Sequence, residues 1–144
     1  MGVGPGMTTP QSVTAEARAT LTAALTARLN PLEWQVFPTR PPGELPTPCV
    51  YVDVAARRAA DADGAPVTVV TFPVVAIVDG ADDEQMLELD NVGDAIWDVA
   101  LELSAVPQYA TPDDVDVGGP RLRYLVTSID VIVEYLTLCR EEAA

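Results

Sequence analysis

A stretch rich in β-branched residues predicts a buried strand over residues 67–78. It leaves almost no polar position, so both faces of the strand should be covered. Pro73 interrupts the stretch and cannot donate a hydrogen bond to a neighbouring strand. We therefore expect a bulge or bend at this position, or one unpaired side.

Two stretches have the apolar spacing of amphipathic helices. The first begins after a cap at Ser12 or Thr14 and ends near Asn30. The second covers residues 84–103, where an apolar residue recurs every three or four positions: Met86, Leu89, Val92, Ile96, Ala100 and Leu103. Asp82, Asp83 and Glu84 stand where the start of a helix favours negative charge. The apolar side of this helix should pack on the strand before it.

Three further strands complete the predicted order α-β-β-β-α-β. They cover residues 34–37, 49–55 and 121–139, with a proline-rich loop at 38–48 and a loop at 106–120. The turn signal of residues 61–64 joins 49–55 to 67–78 as an antiparallel hairpin. We expect an α+β domain over residues 12–140, between an irregular N-terminal arm (1–11) and a short tail (141–144). Its sheet should have about four strands, antiparallel or mixed, with both helices on one face.

The second face of this sheet is predicted to be open and half apolar. Such a face is a liability unless another subunit covers it, which predicts a homo-oligomer. The hairpin should extend from the body, and its two arginines are either solvated or pair with an acidic neighbouring subunit. The predicted interface residues are Tyr51, Asp53, Arg57, Arg58, Asp61, Asp63, Gly64, Tyr124, Asp130 and Ile132.

Composition narrows the range of functions. The 144 residues carry a net charge of −14, so nucleic-acid recognition is disfavoured. The chain has neither His nor Lys, which removes the commonest general base and the lysine amine as a nucleophile. We therefore expect no enzyme, no catalytic residue and no cofactor.

The acidic clusters do not predict a metal site. Asp61 and Asp63 begin like a calcium loop, but the third ligand and the closing Glu are missing, so a hairpin turn is preferred. The carboxylates of 79–84 fit a helix start, and those of 113–116 fit a solvated loop. Cys49 and Cys139 lie in apolar runs as small buried residues.

No run of about 18 apolar residues predicts a membrane span. The N-terminus has no charged segment followed by an apolar core, so we expect no signal peptide and a cytoplasmic site of synthesis and assembly.

Three segments together resemble the tail terminator proteins of long-tailed (siphovirus-type) bacteriophages. They are TFPVVAIV at 71–78, LDNVGDAIW at 89–97 and IVEY at 132–135. The acidic turn after the first segment and the order of elements add to a resemblance that covers roughly residues 12–139.

The resemblance implies a subunit of a hexameric ring at the head-proximal end of the tail tube, in the neck of the virion. Such a ring ends tube polymerisation and joins the tail tube protein to the head–tail connector or stopper, while DNA passes through the lumen without specific binding. It implies no catalytic residues. The alternatives are another head–tail joining ring, such as a stopper, and a small-molecule-binding α+β regulatory domain.

Overall fold

The described part of the protein contains two helices and six strands. A computed structural model describes residues 12–80, 83–109 and 122–133. The helices are α1 (Val13–Leu29) and α2 (Asp83–Glu102), and a 3₁₀ turn (Asn30–Leu32) follows α1. The strands are β1 (Gln35–Phe37), β2 (Cys49–Val52), β3 (Ala56–Ala62), β4 (Ala65–Asp79), β5 (Val106–Tyr109) and β6 (Leu122–Val133). The predicted arm 1–11 and tail 141–144 lie outside the described residues.

Both helices lie within about one residue of their predicted bounds. The Ser12 hydroxyl oxygen caps α1 by accepting a hydrogen bond from the Ala15 N–H at 3.3 Å. Leu21, Leu25 and Leu29 are buried at a spacing of four, which is one helix face. In α2, Asp83 and Glu84 occupy the first turn, as the negative charge of that stretch predicts.

Strand β4 is the centre of a mixed sheet. The strand order is β1-β2-β4-β6-β5, and β3 pairs with β4 beside β2. Only β1 and β2 pair in parallel among the described strands. With 15 residues, β4 is roughly 50 Å long. Its first half pairs with β3 and its second half with β2, while β6 pairs along most of its length on the other side.

The irregularity predicted at Pro73 is a bulge between β2 and β3. Val52 pairs with Val74 and Ala56 with Thr71, so three residues (53–55) lie opposite two (72–73). The Pro73 carbonyl accepts a hydrogen bond from the Asp53 N–H at 2.8 Å. The N–H and C=O of one strand residue point to the same neighbouring strand. An N–H at Pro73 would therefore point toward the bulge, where the regular pairing is already interrupted. Of the irregularities expected at Pro73, the structure has the bulge.

The main core lies between the sheet and the two helices. Side chains of α1 and α2 pack there on alternate residues of β4, including Val70, Phe72 and Val74, and on Ile129 of β6. A smaller buried cluster occupies the opposite face of the sheet. The predicted placement of both helices on one face is confirmed.

The predicted number of strands is wrong, because the described residues form a sheet of six strands rather than about four. Residues 106–109, predicted as part of a loop, form the edge strand β5 against β6. Pro107 makes the sequence of this strand look like a loop, but an edge strand tolerates proline. The polar residues 56–62 form β3, which extends the hairpin to its turn. The predicted loop beyond residue 109 and the last strand beyond residue 133 lie outside the described residues.

Candidate functional site: the helix-free face of the sheet

The sheet face that carries no helix is the predicted interaction surface. We call it the helix-free face. Residues 69, 71, 75 and 77 of β4 point to it, together with residues 124, 126, 128, 130 and 132 of β6. Its two halves differ, because one is covered by the chain itself and the other is exposed.

The half beside β2 is buried. Leu45, from the proline-rich segment, packs there with the following side chains: Cys49, Tyr51, Val75, Ile77 and Val126. Phe37 and Tyr124 flank the cluster. Tyr51 is 0% exposed, and the Arg40 guanidinium carbon lies 6.0 Å from the centre of its ring. The expectation that Tyr51 lies on an open face is therefore wrong, because residues 38–48 supply a cover that the sequence pattern did not reveal.

The half beside β3 contains a polar group of three side chains. The Thr71 hydroxyl donates a hydrogen bond to Asp130 Oδ1 at 2.6 Å. Arg58 Nη2 lies 3.7 Å from Asp130 Oδ2, and the Asp130 side chain is only 28% exposed. The strand register explains this grouping. Thr71 pairs with Asp130, and Arg58 pairs with Val69, which is the neighbour of Thr71 on the same face of β4.

Two exposed aliphatic side chains flank this polar group. Ile132 pairs with Val69 and is 55% exposed, and Val106 pairs with Asp130 and is 57% exposed. We call Arg58, Thr71, Val106, Asp130 and Ile132 the hairpin-end patch. Exposed aliphatic side chains beside an ion pair present apolar and charged surface together, a composition suited to contact with another protein.

The remaining predicted interface residues lie elsewhere. Arg57 pairs with Val70 and so points to the helix side of the sheet, as does Asp61. Asp63 and Gly64 form the hairpin turn, with φ of 53° and 82°. Two successive positive φ angles belong to a tight hairpin turn, which supports the turn interpretation of this acidic stretch. Asp53 lies in the bulge, where its carboxylate accepts a hydrogen bond from the Val54 N–H at 2.8 Å.

Arg18, on α1, connects parts of the chain that are far apart in sequence. Its Nη1 donates hydrogen bonds to the carbonyls of Pro38 and Val52, each at 2.7 Å, and its Nη2 to that of Asp53 at 2.9 Å. Its partners lie 20 to 35 residues away along the chain, so no local signal reveals them. Arg18 holds the bulge and the start of the proline-rich segment against α1.

Within the described residues, two side chains have clearly displaced pKa values. Burial raises the pKa of the Cys49 thiol from 9.0 to about 11. Burial, and then the negative charges of Asp94 and Asp90, raise the pKa of Tyr109. Both shifts favour the neutral form, so neither provides an activated nucleophile.

A separate groove lies at the other end of the sheet. It has a volume of about 350 Å³ and is lined by Leu32, Glu33, Trp34, Pro48, Glu84, Gln85 and Glu88. We call it the acidic groove, because its lining includes three carboxylates beside three apolar side chains and one amide. No group of three or more potential metal ligands occurs within residues 12–80, 83–109 and 122–133.

Comparisons with known proteins do not place the chain in a family. No family model matches it, and no curated protein matches it. Among the helices that the structure describes, none has the length and apolar character needed to cross a membrane.

Proposed function

We propose that the chain is a structural protein of a bacteriophage tail, a tail terminator that works as a ring of identical subunits. The ring is hexameric in the family that the sequence resembles. In this role it ends polymerisation of the tail tube at the neck of the virion and joins the tube to the head–tail connector. DNA passes through its lumen.

The hairpin-end patch is the observation that carries the proposal. Val106 and Ile132 are more than half exposed beside the Arg58–Asp130 pair, in which the Asp130 side chain is 28% exposed and that of Arg58 61%. A second copy placed on this patch would bury both aliphatic side chains and desolvate the ion pair. The chemistry of the site is therefore that of contact between proteins.

The charge of the molecule supports the same role. A net charge of −14 gives a ring lumen that repels the phosphates of passing DNA. The specific place in the neck rests on the sequence resemblance.

Electron microscopy of phage particles carrying a tagged copy of the chain tests the proposal. We expect the tag at the head-proximal end of the tail tube, and tubes of uncontrolled length when the gene is deleted. Tubes of normal length that fail to join heads would identify a stopper instead. Particles that assemble normally without the chain would refute the structural role.

A further inference from the structure

The acidic groove is separate from the hairpin-end patch. Pro48 precedes β2, whose Cys49 pairs with Ile77 near the end of β4, whereas Arg58 pairs with Val69. Eight residues of extended strand separate the two positions, roughly 26 Å. A ligand in the groove would therefore leave the hairpin-end patch accessible.

The lining of the groove combines two kinds of residue. Leu32, Trp34 and Pro48 supply apolar surface, and Glu33, Glu84 and Glu88 supply carboxylates. A side chain with an aliphatic stem and a cationic end is complementary to the apolar residues and to the carboxylates. Its stem packs on the apolar surface while its charge remains near the carboxylates. Arginine and lysine have this form, and an arginine also pairs with carboxylates through two hydrogen bonds.

Trp34 provides a second, independent indication of a ligand. Its side chain lines the groove and is 3% exposed, and the indole Nε1 atom is itself buried with no acceptor among the described protein atoms, so a ligand reaches this N–H only when the groove opens around the ring. A buried donor without a partner destabilises the state in which it is left unpaired, so an acceptor supplied on binding would offset that cost. A peptide segment carries backbone carbonyls that can accept this hydrogen bond, whereas a free polyamine has no acceptor.

We propose that the acidic groove binds an arginine- or lysine-bearing segment of a partner protein. The cationic side chain lies among Glu33, Glu84 and Glu88, and a carbonyl of the segment accepts the Trp34 indole N–H. This binding site is distinct from the surface on which we propose that copies of the chain meet.

NMR of the indole N–H groups tests the site directly. The probes are a short acetylated peptide of alternating glycine and arginine, and the same peptide with citrulline in place of arginine. The chain has two tryptophans, and Trp97→Phe assigns their two indole signals. We expect the arginine peptide to move the Trp34 signal in a saturable way. The citrulline peptide should bind at least about tenfold more weakly, because it lacks the charge.

A matched pair of variants locates the binding. The double change Glu84→Gln with Glu88→Gln should weaken binding of the arginine peptide about tenfold or more. The control, Asp98→Asn with Glu102→Gln, removes the same charge further along α2, where both carboxylates contact Arg28. It should change the affinity less than about twofold, since distant exposed charges are screened.

Several results would overturn the inference. They are an unmoved Trp34 signal, equal affinity for the citrulline peptide, or equal weakening by both double variants. An equal shift of the Trp34 signal by spermidine would identify a site for free cations rather than for a protein segment. None of these results bears on self-assembly, so the inference can fail while the ring proposal stands.

Discussion

Single side chains hold distant parts of this fold together, and Arg18 is the clearest case. Its guanidinium links α1 to the carbonyls of Pro38, Val52 and Asp53, and its Cζ lies 5.4 Å from the centre of the Phe72 ring. Three carbonyls lose their donor together if this residue is replaced.

Replacing Arg18 should therefore be costly. We expect Arg18→Gln to lower the free energy of unfolding by about 2–3 kcal/mol, as measured by urea denaturation. Arg28→Gln is the control, because Arg28 makes only exposed ion pairs with Asp98 and Glu102, each worth less than about 1 kcal/mol. Equal losses in the two variants would contradict the anchoring role of Arg18.

The buried thiol of Cys49 gives a prediction about pH. The pKa of this thiol is about 11 in the folded protein, above the ordinary value of 9.0. As the pH rises, the thiol therefore loses its proton in the unfolded chain at a lower pH than in the folded protein. The unfolded state then binds fewer protons, and stability falls between pH 9 and 11 by about 2–3 kcal/mol. Below pH 9 the thiol is protonated in both states, and its contribution is constant.

Urea denaturation of the wild type and of Cys49→Ala at pH 8 and pH 10.5 measures this effect. The wild type should lose about 2 kcal/mol more than the variant between the two pH values. Tyrosines titrate in both proteins, so their contribution cancels in the comparison. Identical pH dependence would show that the thiol of Cys49 does not titrate as its burial requires.

At the scale of elements, regular periodicity explains what could be predicted. The spacing of four in α1 and the β-branched run of β4 each reflect one dominant packing surface, so both elements were predicted closely. Strand β5 has only four residues, and Pro107 lies among them. Its pairing with β6 is a tertiary effect that local pattern does not carry.

The packing of α2 on the sheet depends on Gly93. A Cβ at this position would overlap Leu125 Cδ2, so the end of the Leu125 side chain would have to move, and it would come within 3.6 Å of the Tyr109 hydroxyl oxygen. On the same side of α2, the rings of Trp97 and Tyr109 lie 5.0 Å apart. Glycine therefore allows the close approach of α2 to β5 and β6.

We expect Gly93→Val to lower the midpoint of thermal unfolding, with a cost of about 1–3 kcal/mol from overpacking. Asp94→Val is the control, since it introduces the same side chain at the next, exposed position of the helix. If Gly93→Val is no less stable than Asp94→Val, the proposed role of close packing at residue 93 is wrong.

At the scale of the whole molecule, the covering of each sheet face decides where contacts can form. The helices cover one face and Leu45 covers half of the other, which leaves the hairpin-end patch exposed. Of the predicted interface residues, Arg58, Asp130 and Ile132 meet there. These three side chains lie close together because of the strand register, which the sequence pattern does not specify.

The central claim is that copies of this chain assemble through the hairpin-end patch, and the mass of the particle in solution tests it most directly. Native mass spectrometry of the wild type should show a closed oligomer. The double variant Val106→Asp with Ile132→Asp should be monomeric with unchanged secondary structure by circular dichroism. Leu87→Asp, at a 63% exposed position on α2, should assemble as the wild type does. A wild type that is monomeric at every concentration, or a patch variant that still assembles, would contradict the account.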